Sequence, residues 1–329
     1  MTSAATPLTL ERRVFQFDVA RRLDRWLHVM PHPAPVVEVA SHHVAAARWG
    51  AARGSLDSVA VEVLPAGAIM PSAVETNLTQ PDAVRSALRA VLARVPDRGA
   101  PVALLIPDSV VRIFILPFDN LTRRSREALP LLRWRLKKSV PFDVEETVIS
   151  WMRQAGKDGG LEVVTAVARQ RIVREYEEAL EAAGAHSCVV LSSALATLPL
   201  LEEGGTTLLL RLSGKTLTTV IVRGQGMCVY RVTEMPAEAE SLDLQIVLGE
   251  VFPVIAYYND TWGAEIDRAW IAGFGEKEPA ICDDLARELK ISVGPLSDAE
   301  GARELGSGAQ EMVRHGLSAL AGWTMNRGS

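Results

Sequence analysis

Cysteine is scarce in this sequence, which has only three in 329 residues: Cys188, Cys228 and Cys282. They are odd in number and far apart, so the sequence predicts neither a disulfide framework nor a cysteine-based metal site and favours a reducing compartment. Long hydrophobic runs are also missing. The longest, residues 189–201, contains polar residues and a proline and is too short to cross a bilayer. The N-terminus lacks the apolar core of a signal peptide. We therefore expect a soluble, cytoplasmic chain.

The sequence also lacks an excess of positive charge. Its formal net charge is −5, whereas a general nucleic-acid binder carries a basic surplus, so nucleic acid is not an expected partner. With 48% hydrophobic and 23% charged residues it is an ordinary globular protein, long enough for two domains. Positive charge is concentrated between positions 121 and 138, where a single acid, Glu127, accompanies Arg123, Arg124, Arg126, Arg133, Arg135, Lys137 and Lys138.

Residues 1–34 form a separate N-terminal extension with the pattern of an amphipathic helix. One interpretation places this helix on an anionic membrane or in a groove of a partner. The other packs it onto its own domain, and it is favoured because Asp18 and Asp24 dilute the positive charge. The apolar face consists of Phe15, Val19, Leu23, Trp26, Leu27 and Met30, and the basic side of Arg12, Arg13, Arg21, Arg22 and Arg25.

The most informative part of the sequence is residues 101–168. Two apolar runs, 102–106 and 110–116, are separated by the turn triplet Pro107-Asp108-Ser109. Leucines at helical spacing follow among the basic residues, and two more strand-like runs, 147–152 and 162–168, precede a helical stretch at 171–183. This order predicts a small α+β module.

The second half of the chain begins as the first half does, with three strand-like runs. Those of the first half begin at residue 36, and those of the second are 207–212, 218–222 and 227–232. Helices are predicted at 195–203, between the halves, and at 241–258, 279–289 and 311–325. Two strand triplets, each followed by helices, predict a duplicated architecture.

Several motifs of the central module occur in an order that is similar to one known family. They are Ile115-Leu116-Pro117, a helix ending in Lys137-Lys138, Pro141-Phe142-Asp143, an aromatic strand with Trp151, and Val167-Ala168-Arg169 before an acidic helix that ends at Ala183-Gly184. In this order they resemble the PilM family, the actin-like cytoplasmic proteins of type IV pilus assembly. The resemblance runs from about Pro35 to Asn326 and is strongest in the middle.

The resemblance implies an α/β, actin-like (ribonuclease H-like, duplicated) ATPase fold with a small α+β module inserted in the first domain. It divides the chain into the N-terminal extension (1–34), a first domain (35–203) that includes the module (101–187), a second domain (204–310) and a C-terminal helix (311–329) that returns to the first domain.

Actin-like ATPases hold phosphates with two hairpins, in each of which an Asp is followed two residues later by a Gly. The resemblance places the first hairpin at 37–43, with Glu38 as the acid and Ala40 at the glycine position. It places the second at 210–216, with Arg211 at the acid position and Ser213 at the glycine position. The turn on the adenosine side is better preserved. The expected nucleotide-site residues are Glu38, Ser41, Arg211, Ser213, Gly214, Gly273 and Gly275.

Arg211 reverses the charge at the position where a metal would bind. The sequence therefore predicts a pseudo-ATPase without catalytic residues or a metal site, for which Mg²⁺ is disfavoured. ATP stays a candidate ligand, because an arginine could pair with a phosphate directly.

The resemblance also implies a binding function. A protein of this family is a scaffold, peripheral at the inner membrane, that captures the N-terminal tail of a PilN-like membrane protein and can contact the pilus motor ATPase. The tail is expected to lie extended in a groove between the domain core and the module. Membrane contact is expected only indirectly or through the N-terminal helix. The expected lining is Arg112, Leu116, Pro117, Phe118, Trp134, Arg135, Pro141 and Phe142.

Other interpretations stay open or are rejected. The basic helix around Trp134 is an interface or a solvated face with equal weight. A type II secretion scaffold is an alternative, although such proteins usually continue into a transmembrane helix. An active actin-like ATPase or kinase would need the groups that Arg211, Ser213 and Ala40 replace. A P-loop is rejected because Leu209 stands where its first glycine is required.

Overall fold

The computed structural model describes residues 32–50, 55–95, 99–202 and 204–325, so the predicted N-terminal helix lies outside the described residues. The strands are β1 (Pro35–Val39), β2 (His43–Trp49), β3 (Leu56–Val63), β4 (Val102–Ile106), β5 (Arg112–Phe118), β6 (Thr147–Ala155), β7 (Leu161–Arg169), β8 (Ser187–Ser192), β9 (Thr206–Ser213), β10 (Thr216–Arg223), β11 (Gly226–Glu234), β12 (Arg268–Ala272) and β13 (Ser292–Pro295). The helices are α1 (Pro81–Arg94), α2 (Ser125–Leu136), α3 (Gln170–Ala182), α4 (Ser193–Thr197), α5 (Leu244–Trp262), α6 (Glu278–Leu289), α7 (Glu300–Glu304), α8 (Ser307–Arg314) and α9 (Ser318–Met325).

Two five-stranded sheets have the same topology. The first has the order β3-β2-β1-β4-β8 and the second the order β11-β10-β9-β12-β13. In each sheet the first three strands of the chain are antiparallel, and the last two join in parallel. We call the first sheet with α1 and α3 the first lobe, and the second sheet with α5 and α6 the second lobe. This repeat is the duplicated α/β architecture that the strand triplets predict.

Each lobe buries one face of its sheet under helices. Val84 and Leu88 of α1 and Ile172 and Tyr176 of α3 lie in the hydrophobic cluster of the first lobe. Helices α5 and α6 contribute to the corresponding cluster of the second lobe. The other faces share a third cluster with residues from both lobes and from α9, so apolar packing joins the lobes.

The residues inserted between β4 and β8 include a small sheet of their own, with the order β5-β7-β6. Helix α2 packs Ala128 and Leu132 against Trp151 and Val163 of this sheet. Strand β4 belongs to the first lobe, although the sequence groups it with the module. The predicted domain boundaries stay a prediction.

Three predicted helices have different bounds in the structure. The connecting helix expected at 195–203 is α4 followed by a short 3₁₀ turn. The helix expected at 241–258 is α5, which begins where the Asp243 side chain caps Gln245 N, contains Pro253 and ends before Gly263. The C-terminal helix expected at 311–325 is split into α8 and α9, because Gly316 between them has a φ of +79°.

Helix α9 packs against the first lobe. Trp49 Nε1 in β2 donates to Leu320 O at 3.2 Å, and a Cβ atom added to Gly322 would overlap the backbone of α4. Close packing of α9 on α4 thus requires this glycine. Among the helices that the structure describes, none is long and apolar enough to cross a membrane.

Candidate functional site

The two predicted phosphate hairpins lie against each other. Ser41 is in the turn between β1 and β2, and Gly214 is in the turn between β9 and β10, just after the half-buried Ser213. Gly214 has a φ of +56°, and a Cβ atom added to it would overlap Ser41 Oγ. The structure therefore brings these predicted residues together and leaves no space for a ligand atom between Ser41 and Gly214.

Arg211 is buried between the lobes with two carboxylates. The side chains of Arg211, Glu38 and Asp108 are 3%, 0% and 1% exposed. Arg211 Nη2 donates to Glu38 Oε1 at 2.8 Å, Nη1 to Asp108 Oδ2 at 3.1 Å, and Nε to Ser318 Oγ at 3.2 Å. We call these four residues the Arg211 cluster. It joins β9 of the second lobe to β1 and the end of β4 in the first lobe and to α9.

Asp108, which the sequence predicts only as part of a turn, is a central member of the Arg211 cluster. Besides Arg211, its carboxylate accepts from Ala194 N at 2.7 Å and from Thr218 Oγ1 at 2.9 Å. A signal was present, since Asp108 closely follows the apolar parallel strand β4. The carboxyl ends of such strands are where α/β folds place functional groups.

The local charges keep Arg211 protonated. Burial disfavours the charged guanidinium, but Glu38 and Asp108 outweigh this effect and raise its pKa above the ordinary value. Burial, with a smaller effect of His42 and Arg211, lowers the pKa of His43 to about 3, and burial also lowers the pKa of His42. Both imidazoles are therefore neutral at physiological pH, and Arg211 supplies the positive charge beside the two acids.

The turn expected on the adenosine side is held by an acid of its own helix. Gly273, with a φ of +87°, packs so closely on Leu212 O that a Cβ atom would overlap it, and Gly275 has a φ of +59°. Phe274 N donates to Glu278 Oε2 at 3.2 Å. Burial raises the pKa of Glu278 to about 7. The Phe274 backbone amide of this turn is thus occupied by the Glu278 side chain, which was not among the predicted site residues.

The residues of this cleft do not fit a magnesium-dependent phosphate site. Glu38, the candidate acid, accepts from Arg211, and a guanidinium repels a cation at the position of the second acid. No group of three or more His, Cys, Asp or Glu residues suited to a metal occurs among the described residues. Because Arg211 is only 3% exposed, a phosphate cannot reach it in this arrangement.

Four of the eight residues predicted to bind a partner line one cavity of about 650 Å³. It lies within the module, between the end of β5, helix α2 and the β6–β7 turn, and not between the module and the core of the first lobe, where the resemblance places the partner groove. We call it the α2 groove. Leu131 and Trp134, one helical turn apart on α2, are 48% and 73% exposed. The groove is lined by Pro117, Phe118, Asp119, Asn120, Leu131, Trp134, Arg135, Gly156, Lys157, Gly160, Leu161 and Glu162.

Arg135 is fixed as part of the wall of the α2 groove. Its Nη2 donates to Pro117 O at 3.3 Å, and its Cζ lies 5.7 Å from the centroid of the Phe118 ring. This cation–π contact holds the guanidinium against an aromatic face and presents a fixed positive charge beside apolar surface.

The other four predicted partner residues lie outside the lining of the α2 groove. Leu116 packs inside the module, against the hydrophobic cluster that contains Leu132 of α2 and Trp151 of β6. Arg112 is exposed at the opposite end of β5, where it pairs with Val167. Pro141 is exposed, and the Phe142 ring lies 6.0 Å from the Arg169 guanidinium. The predicted set is thus divided between two ends of the module.

A second cavity, of about 750 Å³, shares Gly156 and Lys157 with the α2 groove and extends to Trp262 of the second lobe. Close by, Gln154 ties the module to that lobe. Its Oε1 accepts from Met227 N at 3.0 Å, and its Nε2 donates to Met227 O at 2.7 Å. The sequence predicts none of these contacts.

Comparison with solved structures identifies the class of fold. A chain of the PilM-PilN type IV pilus biogenesis complex is similar with a TM-score of 0.71 and 19% identity, covering 88% of this chain and 98% of that chain. The cytoplasmic domain of EpsL, an inner-membrane component of the type II secretion system of Vibrio cholerae, is similar with a TM-score of 0.47 and 12% identity. This match covers 72% of this chain and 81% of that chain. The ethanolamine utilization protein EutJ from Carboxydothermus hydrogenoformans is similar with a TM-score of 0.49 and 10% identity. This match covers 89% of this chain and 94% of that chain. No family model and no curated protein sequence matches the chain.

The chain therefore has an actin-like fold, as the sequence predicts. Within this class its architecture is similar to that of PilM, so the predicted resemblance is confirmed at the level of the fold.

Proposed function

We propose that this chain is a cytoplasmic scaffold, peripheral at the inner membrane, of a type IV pilus-type assembly machine. It binds the N-terminal tail of a PilN-like membrane protein, and its further partner is the assembly motor ATPase. The similar chain of known structure belongs to a PilM-PilN complex, which supports a partner of this kind. The observation that carries the proposal is the α2 groove, where exposed apolar side chains and a fixed arginine surround one cavity.

The chemistry of the α2 groove suits a short apolar peptide. Trp134 and Leu131 expose apolar surface on one turn of α2, and Arg135 presents a charge beside them. Trp and Arg are enriched among the residues that dominate binding energy at interfaces. A cavity of about 650 Å³ accommodates a few side chains of an extended segment.

Fluorescence anisotropy with a labelled synthetic peptide of the PilN-like N-terminal tail tests this proposal. We expect Trp134→Ala to weaken binding about 30-fold, which corresponds to roughly 2 kcal/mol at a central aromatic contact. Tyr257→Ala on α5 is the matched control, because Tyr257 is also a largely exposed aromatic, 59% against 73% for Trp134, and lies outside the groove.

Phe142→Asp distinguishes the two ends of the module, and we expect it to leave the affinity within about twofold of the wild type, the scatter expected for a residue outside the binding site. Loss of binding by Phe142→Asp together with normal binding by Trp134→Ala would move the tail to the other end. Undiminished peptide binding by the double variant that carries both Phe142→Asp and Arg135→Glu would refute the partner assignment.

We also propose that this chain does not hydrolyse ATP, and the support for this is the Arg211 cluster. Phosphate release from Mg-ATP by the purified protein is expected to equal the rate in buffer without protein. Isothermal titration with ATP is expected to give the same binding curve with and without Mg²⁺. Steady turnover that disappears in Glu38→Ala would contradict the proposal.

A further inference from the structure

Strand β3 leaves an apolar stripe uncovered at the edge of the first lobe. Val59, Val61 and Val63 alternate along one face of β3 and are 42%, 40% and 82% exposed. Among the described residues no strand pairs with the outer edge of β3. We call these three residues the β3 valine stripe. An edge strand with a row of exposed valines is a surface that proteins normally cover.

The rest of the same sheet face is covered. Val59 pairs with Ala47 and Val61 with Ala45 on β2, and both alanines are fully buried in the cluster that contains α8 and α9. Paired residues of neighbouring strands point to the same face of a sheet. The cover formed by α8 and α9 therefore extends over β1 and β2 and stops before the valine stripe.

The first described residues of the chain, which begin at His32, lie beside this uncovered face. The His32 ring lies 5.0 Å from that of Trp323 in α9, and Trp323 Nε1 donates to Pro33 O at 3.2 Å. Pro35 pairs with Arg48, which in turn pairs with Ser58 at the start of β3. Two strand spacings, roughly 10 Å, thus separate the beginning of β1 from β3, next to Val59.

The 31 residues before His32 have the composition that this surface requires. Leu23, Trp26, Leu27 and Met30 fall at helical spacing immediately before the point where the chain meets Trp323. A helix over residues 15–30 would be roughly 24 Å long. The stripe from Val59 to Val63 spans roughly 13 Å, so the segment is long enough to cover it.

We propose that the β3 valine stripe is the docking surface for the N-terminal segment of this chain, residues 12–31, whose apolar face packs on Val59, Val61 and Val63. The segment then continues the cover that α8 and α9 form over the first sheet.

Limited trypsin digestion and hydrogen exchange on the full chain test this inference. We expect Val61→Asp to speed cleavage after Arg21, Arg22 and Arg25 at least tenfold and to abolish the slow amide exchange of residues 19–30. Leu27→Asp is the reciprocal variant, and it should speed exchange along β3. Ile246→Asp on α5 is the matched control, because Ile246 is 41% exposed, against 40% for Val61, and it should behave as the wild type.

Two other occupants give different results and would overturn the inference. Protection of the segment that appears only as the protein concentration rises, with a dimer in sedimentation, would assign the stripe to a second copy. Protection that requires vesicles containing anionic lipid would assign the segment to a membrane. Equal exchange of residues 19–30 in the wild type and in Val61→Asp would show that the segment does not dock there.

Discussion

Replacing Arg211 with methionine tests how strongly the Arg211 cluster holds the lobes together. Methionine has a similar length but no charge. In the wild type, one positive charge faces the negative charges of Glu38 and Asp108, whereas the variant leaves both carboxylates buried without a cation. Glu38 also loses the donor to Oε1, and its Oε2 already accepts from no group among the described residues.

The expected loss of stability is large because Arg211→Met removes the cation of the buried ion pairs and leaves both carboxylates in place. Leaving an uncompensated buried charge costs about 3–5 kcal/mol. With an unfolding entropy of about 2.1 cal/mol/K per residue, each kcal/mol lowers the melting temperature of a 329-residue chain by roughly 1.5 °C, so Arg211→Met should melt roughly 4–7 °C below the wild type. The matched control is Arg231→Met. Arg231 pairs with Glu250 at 2.9 Å but is 47% exposed, and surface pairs contribute at most about 1 kcal/mol.

The double variant Glu38→Gln with Arg211→Met separates charge from packing. It removes one charge of each sign, so the cluster returns to its wild-type net charge. Asp108 keeps its bonds from Ala194 N and Thr218 Oγ1. We expect the double variant to be more stable than Arg211→Met alone by about 2 kcal/mol, measured by thermal and urea unfolding. A double variant less stable than the single variant, or a loss below about 1 kcal/mol in Arg211→Met, would refute this account.

Two further predictions concern the turn after β12. The raised pKa of Glu278, about 7, means that its stabilising contribution is complete below pH ~4.5 and is lost as the pH rises through 7, by roughly 3 kcal/mol. Urea unfolding at pH 5 and pH 8 should show this loss in the wild type and not in Glu278→Gln, and identical profiles would disprove it. Gly273→Ala should destabilise by about 3 kcal/mol or more, since its Cβ would overlap Leu212 O. Gly275→Ala, at a φ of +59° with open space, should lose only about 1 kcal/mol, and equal melting temperatures for the two variants would contradict the proposed overlap.

Local sequence patterns were sufficient to predict the duplicated architecture. Alternating apolar residues and turn glycines mark β1 to β3 and β9 to β11, and both depend on residues close in sequence. The repetition of this pattern gave the duplicated fold. The split between α8 and α9 was missed because an isolated glycine is tolerated within a helical pattern, and only the φ of Gly316 shows that it ends the helix.

The sites depended on distant residues and were predicted only in part. Glu38 and Arg211 were predicted, but Asp108 and Ser318 each bond to Arg211 across more than one hundred positions, a separation that no local pattern reports. In the α2 groove, Pro117 was placed correctly and Leu116 was not. The prediction took three consecutive residues of β5, of which Pro117 and Phe118 line the groove and Leu116 packs against the hydrophobic cluster beneath α2.

The contacts between the lobes explain how an actin-like fold serves as a scaffold in the proposed function. In a nucleotide-dependent relative, a ligand shifts the lobes only by binding one arrangement better than another. Here Arg211 joins β9 to both acids of the first lobe, and Gln154 joins the module to Met227 of the second lobe. The protein's own side chains thus form the contacts that a ligand would otherwise supply. The α2 groove is built on the module that Gln154 anchors, so we expect its shape to depend on bonds within the chain rather than on a bound nucleotide.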